Sequence, residues 1–521
     1  MDCGATVALI QKRYVRPEAL QALMAATRGP DHLRQIFLKK GAKMMIAWVS
    51  RLALVALMAT APAVAQDNGP EARPIYKRDQ WLPKSVPTSD DGLRIPVPAD
   101  FNAPKGSFVL VGGRLFDGTG APARPATIVV EGKTITAVLN PGDRNWPEGA
   151  VVFDVAGKTV MPGLIDLHTH LTFLDTASAS SVFSAANLSS AESAMRAVQR
   201  MAIYLQAGIT SVRDVGSHGD VPFVLKRRQA EGALAGPRIF AAGQLITQTG
   251  GHGAIHAFAP GSPEVTNGNP NSMARIATGP DQWREAVRIQ FAKGADLIKL
   301  ASEYTQEEVT AAVDEAHSLG LPVTVDAETQ YIDMAIKAGV DSIEHPLPRS
   351  DAAVALMAKR GIASVPTLIP YRLISRRSGG YYGTPSRRFE LNETTIMEMA
   401  KKMHRGGVKM GIGLDLILDA PAHLPGAYIN ELESFVDLGF TKPEALVAAT
   451  RTSAEIMHMG DRIGTIRAGM LADIIVIDGN PDEDFAALRK VTTAFVNGRL
   501  MLQDGRIYVP AHEEVPLPGA R

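Results

Sequence analysis

The sequence predicts an α/β protein: a (β/α)8 TIM-type barrel that carries a small β-sandwich domain built from both ends of the chain. Three features carry that prediction. A helix–glycine–strand unit recurs through the middle of the chain, two clusters of short β-branched runs flank it, and histidine, lysine and aspartate stand at the ends of the middle strands.

The recurring unit is an amphipathic stretch that stops at glycine and runs at once into an apolar strand. It reads LQAGITSV at Gly208, AKGADLIKL at Gly294, SLGLPVTV at Gly320, KAGVDSIEH at Gly339, KRGIASV at Gly361 and GGVKMGIGLD at Gly407. Glycine just past a helix end takes the left-handed cap at little steric cost, so each instance reads as a helix-to-strand turn. Continuously apolar strands alternating with helices indicate a buried parallel sheet. Eight strands can be placed, near Ile165, Val212, Ile239, Ile298, Val323, Ile343, Ala363 and Met410. That number favours a closed barrel, whose active-site residues lie at the C-terminal strand ends.

The flanking clusters have the alternation of small antiparallel strands. FVLVGG, TIVVEG, TITAVL and VVFDVAG fall between Phe108 and Val160, and ADIIVI, VTTAFV and RLML between Ala472 and Leu502. Two separated clusters around one long insert predict a sandwich assembled from both. The expected boundaries are 107–162 and 458–510 for the sandwich, 163–457 for the barrel and 511–521 for a tail.

Ahead of these lies a leader, 1–65. LALVALMATAPAVA at Leu52–Ala65 follows Lys39, Lys40, Lys43 and Arg51 and closes on Ala63-Val64-Ala65, the pattern of a cleavable secretory signal over about 44–65. Met44 or Met45 then suits as the start, and the mature protein is expected to be exported, periplasmic or extracellular. An uncleaved leader would instead tether it to a membrane. Residues 66–106 are polar and rich in proline and aspartate, and read as an extended segment without its own core.

Composition narrows the chemistry. Lys plus Arg and Asp plus Glu balance at 54 each, which removes the basic footprint of a nucleic-acid binder and suits a small neutral or zwitterionic substrate. The single cysteine, Cys3, falls in the leader, so disulfides and thiolate metal sites are excluded from the mature chain. A metal must therefore sit on histidine, carboxylate or modified lysine.

The strand ends supply such residues. In GLIDLHTH, alternation puts His168 and His170 on one face, and two converging imidazoles suit a divalent ion. Lys299 sits in the apolar run ADLIKLASE, where desolvation favours the neutral amine. Such an amine can add carbon dioxide to give a carbamate that bridges two metals; the plainer reading pairs it with Glu303 or Glu328. His345 ends DSIEHP, and Asp415 ends GIGLD, where a carboxylate at that depth needs a cation or donors.

With these residues in place the chain resembles the amidohydrolase superfamily, and within it the imidazolonepropionase-like and prolidase-like metal-dependent hydrolases. The resemblance spans about Phe108 to Arg506 and rests on VMPGLIDLHTHL, SVRDVG, QTGGHG, ADLIKL, DSIEHP, GIGLD and IGTIRAGMLADIIVIDGNP. It implies that His168, His170 and Asp415 hold one metal, that carbamylated Lys299 bridges to a second, and that His345 binds the second. It implies two zinc ions, with manganese, iron or cobalt as substitutes, and carbon dioxide as the carbamate. It further implies hydrolysis of a C–N bond, amide, peptide-like or cyclic, by a metal-activated hydroxide, dipeptidase-like activity included. Asp415 would serve as catalytic base and acid. Deamination or ester hydrolysis on the same scaffold is the alternative. A homo-oligomer is compatible with all of these.

One position departs from the family pattern. Strand five ordinarily supplies a histidine to the second metal, and here it reads Val325-Asp326-Ala327-Glu328. Asp326 takes the ligand place, and a carboxylate can ligate zinc or manganese. A mononuclear site and a barrel that lost its chemistry through Asp326 are the competing readings. Glu328 shares the face of Asp326 and is a candidate ligand, substrate contact or lysine partner. The long loop from Thr247 to Gly279 reads as a lid whose QTGGHG start puts His252 near the site, as a substrate contact or as a structural histidine. Arg372, Arg376, Arg377, Tyr381 and Tyr382 fall in an expected loop after strand seven, as carboxylate-binding candidates or as a solvated basic loop.

Overall fold

The computed structural model describes residues 106–172, 189–254, 271–378, 391–416 and 423–508, together with Ile75 and Pro83. All of them belong to the unit Pro70–Arg521. The expected leader 1–65, most of the segment 66–106, the tail 511–521, Tyr381 and Tyr382 lie outside the described residues.

The chain opens with five short strands: β1 (Ser107–Leu115), β2 (Arg124–Glu131), β3 (Thr134–Leu139), β4 (Val151–Asp154) and β5 (Thr159–Pro162). Four strands close it: β15 (Ile474–Ile477), β16 (Val491–Val496), β17 (Arg499–Gln503) and β18 (Arg506–Ile507). Both sets join one nine-stranded sheet in the order β18-β17-β16-β15-β5-β1-β2-β3, with β4 beside β1. The seam is β5 against β15, antiparallel, with Pro162 opposite Ile474. The sheet curls back on itself. Phe108 of β1 stacks on Phe495 of β16 with centroids 4.2 Å apart, although β5 and β15 lie between those strands in the sheet. Neighbouring strands are ~4.8 Å apart, so flat packing would hold the two rings well beyond contact. At the β3 edge, Ile135 donates to the Met470 carbonyl at 2.8 Å and Gly469 donates to the Ile135 carbonyl at 2.9 Å.

The middle of the chain is parallel. One sheet comprises β6 (Leu164–Thr169), β7 (Ile209–Asp214) and β8 (Arg238–Ala241). A second runs β10-β9-β11-β12-β13-β14, where β9 is Leu245–Thr247, β10 Ala274–Ile276, β11 Ile298–Ala301, β12 Val323–Asp326, β13 Ser342–Glu344 and β14 Ala363–Val365. Helices separate these strands: α1 (Ser190–Gln206), α2 (Val221–Ala230), α3 (Pro280–Lys293), α4 (Gln306–Ser318), α5 (Gln330–Ala338) and α6 (Asp351–Arg360). After β14 come α7 (Leu368–Ser378), α8 (Glu393–Arg405) and α9 (Gly426–Leu438). Gly294, Gly339 and Gly361 cap α3, α5 and α6 in the left-handed conformation, as the repeat predicted. Among the described residues no helix is long and apolar enough to cross a membrane.

Seven of the eight expected strands are present as strands; the eighth is not. Around Met410 the chain makes only a single bridge to Ser364, yet its backbone continues the pairing. Ser364 donates to the Lys409 carbonyl at 2.8 Å, Leu167 to that of Ile412 at 2.9 Å, and Asp415 to that of His168 at 2.8 Å. Gly411 and Gly413 explain the close approach, because a Cβ at either would stand 2.4 Å from Leu167 or Val365. Two further expectations are corrected. The loop from Thr247 to Gly279 contains β10, which pairs in register with β9, and the stretch holding Arg372 and Arg376 is helix α7.

Candidate metal centre

Strand alternation gathers the site at the C-terminal ends of the parallel strands. His168 and His170 leave β6 on one face, Lys299 lies in β11, Asp326 ends β12, His345 follows β13, and Asp415 follows the segment hydrogen-bonded to β6. All six are at most 9% exposed. Asp415 is the meeting point: its Oδ1 lies 3.5 Å from Nε2 of His168 and 3.3 Å from Nε2 of His170. His345 approaches the other oxygen, with Nδ1 3.9 Å from Oδ2. The ligand atoms of His168, His345 and Asp415 fall within 4.8 Å of one another, the geometry of a cation site. Asp326 forms a second focus, its Oδ2 3.3 Å from Nε2 of His345 and 3.2 Å from Nε2 of His252.

Each of the three imidazoles is held through Nδ1. His168 Nδ1 meets Glu344 Oε2 at 2.7 Å, His170 Nδ1 donates to the Gly216 carbonyl at 2.7 Å, and His345 Nδ1 meets Thr367 Oγ1 at 2.8 Å. Fixing one ring nitrogen in this way leaves Nε2 as the ligand atom, the arrangement that metal-binding histidines use. Burial pushes the His168 imidazole down to about 3, so it is neutral and its lone pair is available. Burial by itself would raise Asp415, but the neighbouring His168, His170 and His345 hold it well below the ordinary carboxylate range.

Lys299 is the sharpest sign that the site takes something more. Its Nζ is buried and has no hydrogen-bond partner among the described residues. Burial lowers its basicity against the opposing pull of Glu344, Asp326 and Asp415. The pairing with Glu303 or Glu328 that the sequence left open is not made as a hydrogen bond. A buried amine of lowered basicity beside carboxylates is the setting that carbamylation requires, and together with the convergent imidazole nitrogens it fits a divalent metal centre.

His252 Nε2 stands 3.2 Å from Asp326 Oδ2, and the turn that carries it is tightly packed. Its backbone N–H donates to the Ser302 carbonyl at 2.8 Å, and a Cβ on Gly251 would stand 2.3 Å from Thr247 Oγ1 and 2.9 Å from that carbonyl. Glu328 is buried two residues beyond β12. The arginines are a correction. Arg372 Nε and Arg376 Nη2 both bind Glu393, at 2.7 and 2.8 Å, and tie α7 to α8.

Sequence reasoning missed four residues that support the centre: Asp166, Arg213, Glu344 and Tyr371. Asp166 Oδ1 accepts from the backbone of His168 at 3.1 Å and of Leu414 at 3.0 Å, fixing β6 to the Asp415 segment. Tyr371 packs its ring on His345 with centroids 5.0 Å apart. Three of the four stand inside motifs already singled out, GLIDLHTH, SVRDVG and DSIEHP. Their signal was a charged residue within an apolar strand.

Comparison with known proteins identifies the family. The profile of the amidohydrolase family matches residues 159–501. The chain is 28% identical over 430 residues to ochratoxinase of Aspergillus niger, covering 76% of this chain and 87% of that one. It is 25% identical over 357 residues to imidazolonepropionase of Mesorhizobium japonicum, covering 63% and 80%. A crystal structure of a prolidase complexed with N-methylphosphonate-L-proline superposes with a TM-score of 0.68 at 30% identity, covering 76% of this chain and all of that one. A Xaa-Pro dipeptidase with bound methionine superposes at 0.65 and 28% identity, covering 76% and 99%. These relatives do not favour a barrel without chemistry. The chain belongs to the amidohydrolase family of hydrolases acting on carbon–nitrogen bonds.

Proposed function

We propose that this protein hydrolyses the amide bond of an N-acylated amino acid or dipeptide-like substrate at a two-metal centre. The observation that carries the reading is the convergence of His168 Nε2 and His170 Nε2 on Asp415 Oδ1, at 3.5 and 3.3 Å. His168, His170 and Asp415 would hold one ion, and Asp326 and His345 the other, with carbamylated Lys299 between them. When bound, two such ions acidify water and polarise the scissile carbonyl. Asp415 accepts the proton released by the attacking water and passes it to the leaving nitrogen. His252, with Nε2 3.2 Å from Asp326, and the buried Glu328 would contact the substrate. The substrate class is supported by the likeness to a prolidase and a Xaa-Pro dipeptidase.

The parallel strands are read as a closed barrel over 163–457, supported by the bonds from β14 through Lys409–Asp415 to β6. The curled nine-stranded sheet is read as the sandwich over 107–162 and 458–510, supported by the Phe108–Phe495 stack. The leader motif supports export with cleavage after Ala65. N-terminal sequencing of the exported protein should then begin at Gln66.

Two measurements test the function. Elemental analysis of purified protein should find close to two divalent ions per chain. A panel of N-acyl amino acids and Xaa-Pro dipeptides should show amine release that stops on chelation and returns with zinc or manganese. Metal-free protein with no uptake on incubation, or a panel in which only ammonia or alcohol is released, overturns the proposal.

A further inference from the structure

We propose that Glu344, anchored by Arg213, is the positioning residue that fixes the tautomer and ring plane of His168; this rests on reading His168 as a metal ligand. Glu344 ends β13 immediately before His345 and is fully buried. Its Oε2 lies 2.7 Å from Nδ1 of His168, and its Oε1 accepts from Arg213 Nη2 at 2.6 Å and from Thr324 Oγ1. An ionised carboxylate only accepts hydrogen bonds, so Nδ1 of His168 must carry the proton and Nε2 must present its lone pair. Nε2 is the atom that faces Asp415.

Arg213 makes the arrangement rigid. Its Nε donates to the carbonyl of Leu167 at 2.6 Å, the residue just before His168, and its Nη1 to Ser342 Oγ at 3.1 Å. One guanidinium therefore ties the β6 backbone to the carboxylate that orients the β6 imidazole. The three histidines are not held alike. His345 meets a hydroxyl, which can donate or accept, and His170 meets a neutral carbonyl. Of these Nδ1 partners, that of His168 is the one both charged and acceptor-only, and such a partner strengthens the imidazole as a donor to metal. A buried ion pair is seldom retained for stability, because an apolar pair of the same volume is often as stable. Control of the His168 tautomer gives Arg213 and Glu344 a function that burial does not.

The discriminating variant is Glu344→Gln, which keeps the shape and inverts the hydrogen bonding. Arg213 offers only donors and will take the amide oxygen, so the amide NH2 turns to His168 Nδ1 and drives the proton to Nε2. Thr324→Val is the comparison, since it removes a partner of Oε1 and leaves the Oε2 bond in place. Zinc affinity is measured by chelator competition on parent, Glu344→Gln and Thr324→Val, with nitrogen-15 imidazole spectra to read the tautomer. The expected result is a loss of about 10–100-fold in Glu344→Gln with the proton moved to Nε2, and a loss of under about threefold in Thr324→Val. Unchanged affinity in Glu344→Gln, an equal loss in both variants, or a His168 still protonated at Nδ1 overturns the inference. A parent protein that binds no zinc overturns the reading of the site itself, a distinct result.

Discussion

Oδ2 of Asp326 lies 3.3 Å from Nε2 of His345, so the carboxylate at the end of β12 faces the imidazole that the second metal would use. Asp326 puts a carboxylate where the family resemblance implies a neutral histidine, and ligand charge opposes the pull of the metals on water. Asp326→His should therefore shift the lower limb of the pH–rate profile toward acid, and Asp326→Asn should lower second-site metal content. Elemental analysis and pH profiles read both. Unchanged metal and an unchanged profile in the two variants would show that Asp326 is not a ligand.

Lys299 has no hydrogen-bond partner at Nζ among the described residues and is buried at the centre of the site. Lys299→Ala is expected to lose most of the second metal together with activity, and a short carboxylic acid should restore part of both by replacing the carbamate. Full metal content and parental turnover in Lys299→Ala would refute the bridging role.

Arg376 and Arg372 share Glu393, so neither is available to grip a substrate carboxylate. Arg376→Ala should leave KM within about twofold of the parent, since exposed ion pairs contribute little. A tenfold rise in KM for carboxylate-bearing substrates, with no rise for their amides, would return Arg376 to the substrate site.

Glu431 of α9 is fully buried and accepts from the backbone N–H groups of Leu368 and Ile369 at the start of α7, both at 2.8 Å. Burial pushes its carboxyl up to about 7. The folded state then holds a proton that the unfolded chain releases near its ordinary value. Stability should fall as pH rises from about 4.5 to about 7 and level off above, by at most about 3 kcal/mol. Denaturant unfolding across that range should show the slope in the parent and a flatter profile in Glu431→Gln. A parent and variant with parallel profiles would assign the pH dependence elsewhere.

Much of this protein is written in local sequence. The left-handed glycines at 294, 339 and 361, the strand alternation that pairs His168 with His170, and the apolar runs around Lys299 and Asp326 are short-range patterns, and each lies where it was expected. Charge balance and cysteine content set the class of ligand atoms available. Tertiary structure decided what depends on contacts between distant segments. The segment around Met410 makes one bridge instead of a regular strand, and Gly411 and Gly413 let it lie directly against Leu167 and Val365. Arg372 and Arg376 face Glu393 because α7 is a helix packed on α8. Glu344 could be joined to His168, and Arg213 to both strands, only when β6, β7 and β13 met, since a hydrogen bond across 176 positions leaves no periodicity in the chain. Sequence named the atoms that can hold a metal; packing chose which nitrogen of each imidazole would face it.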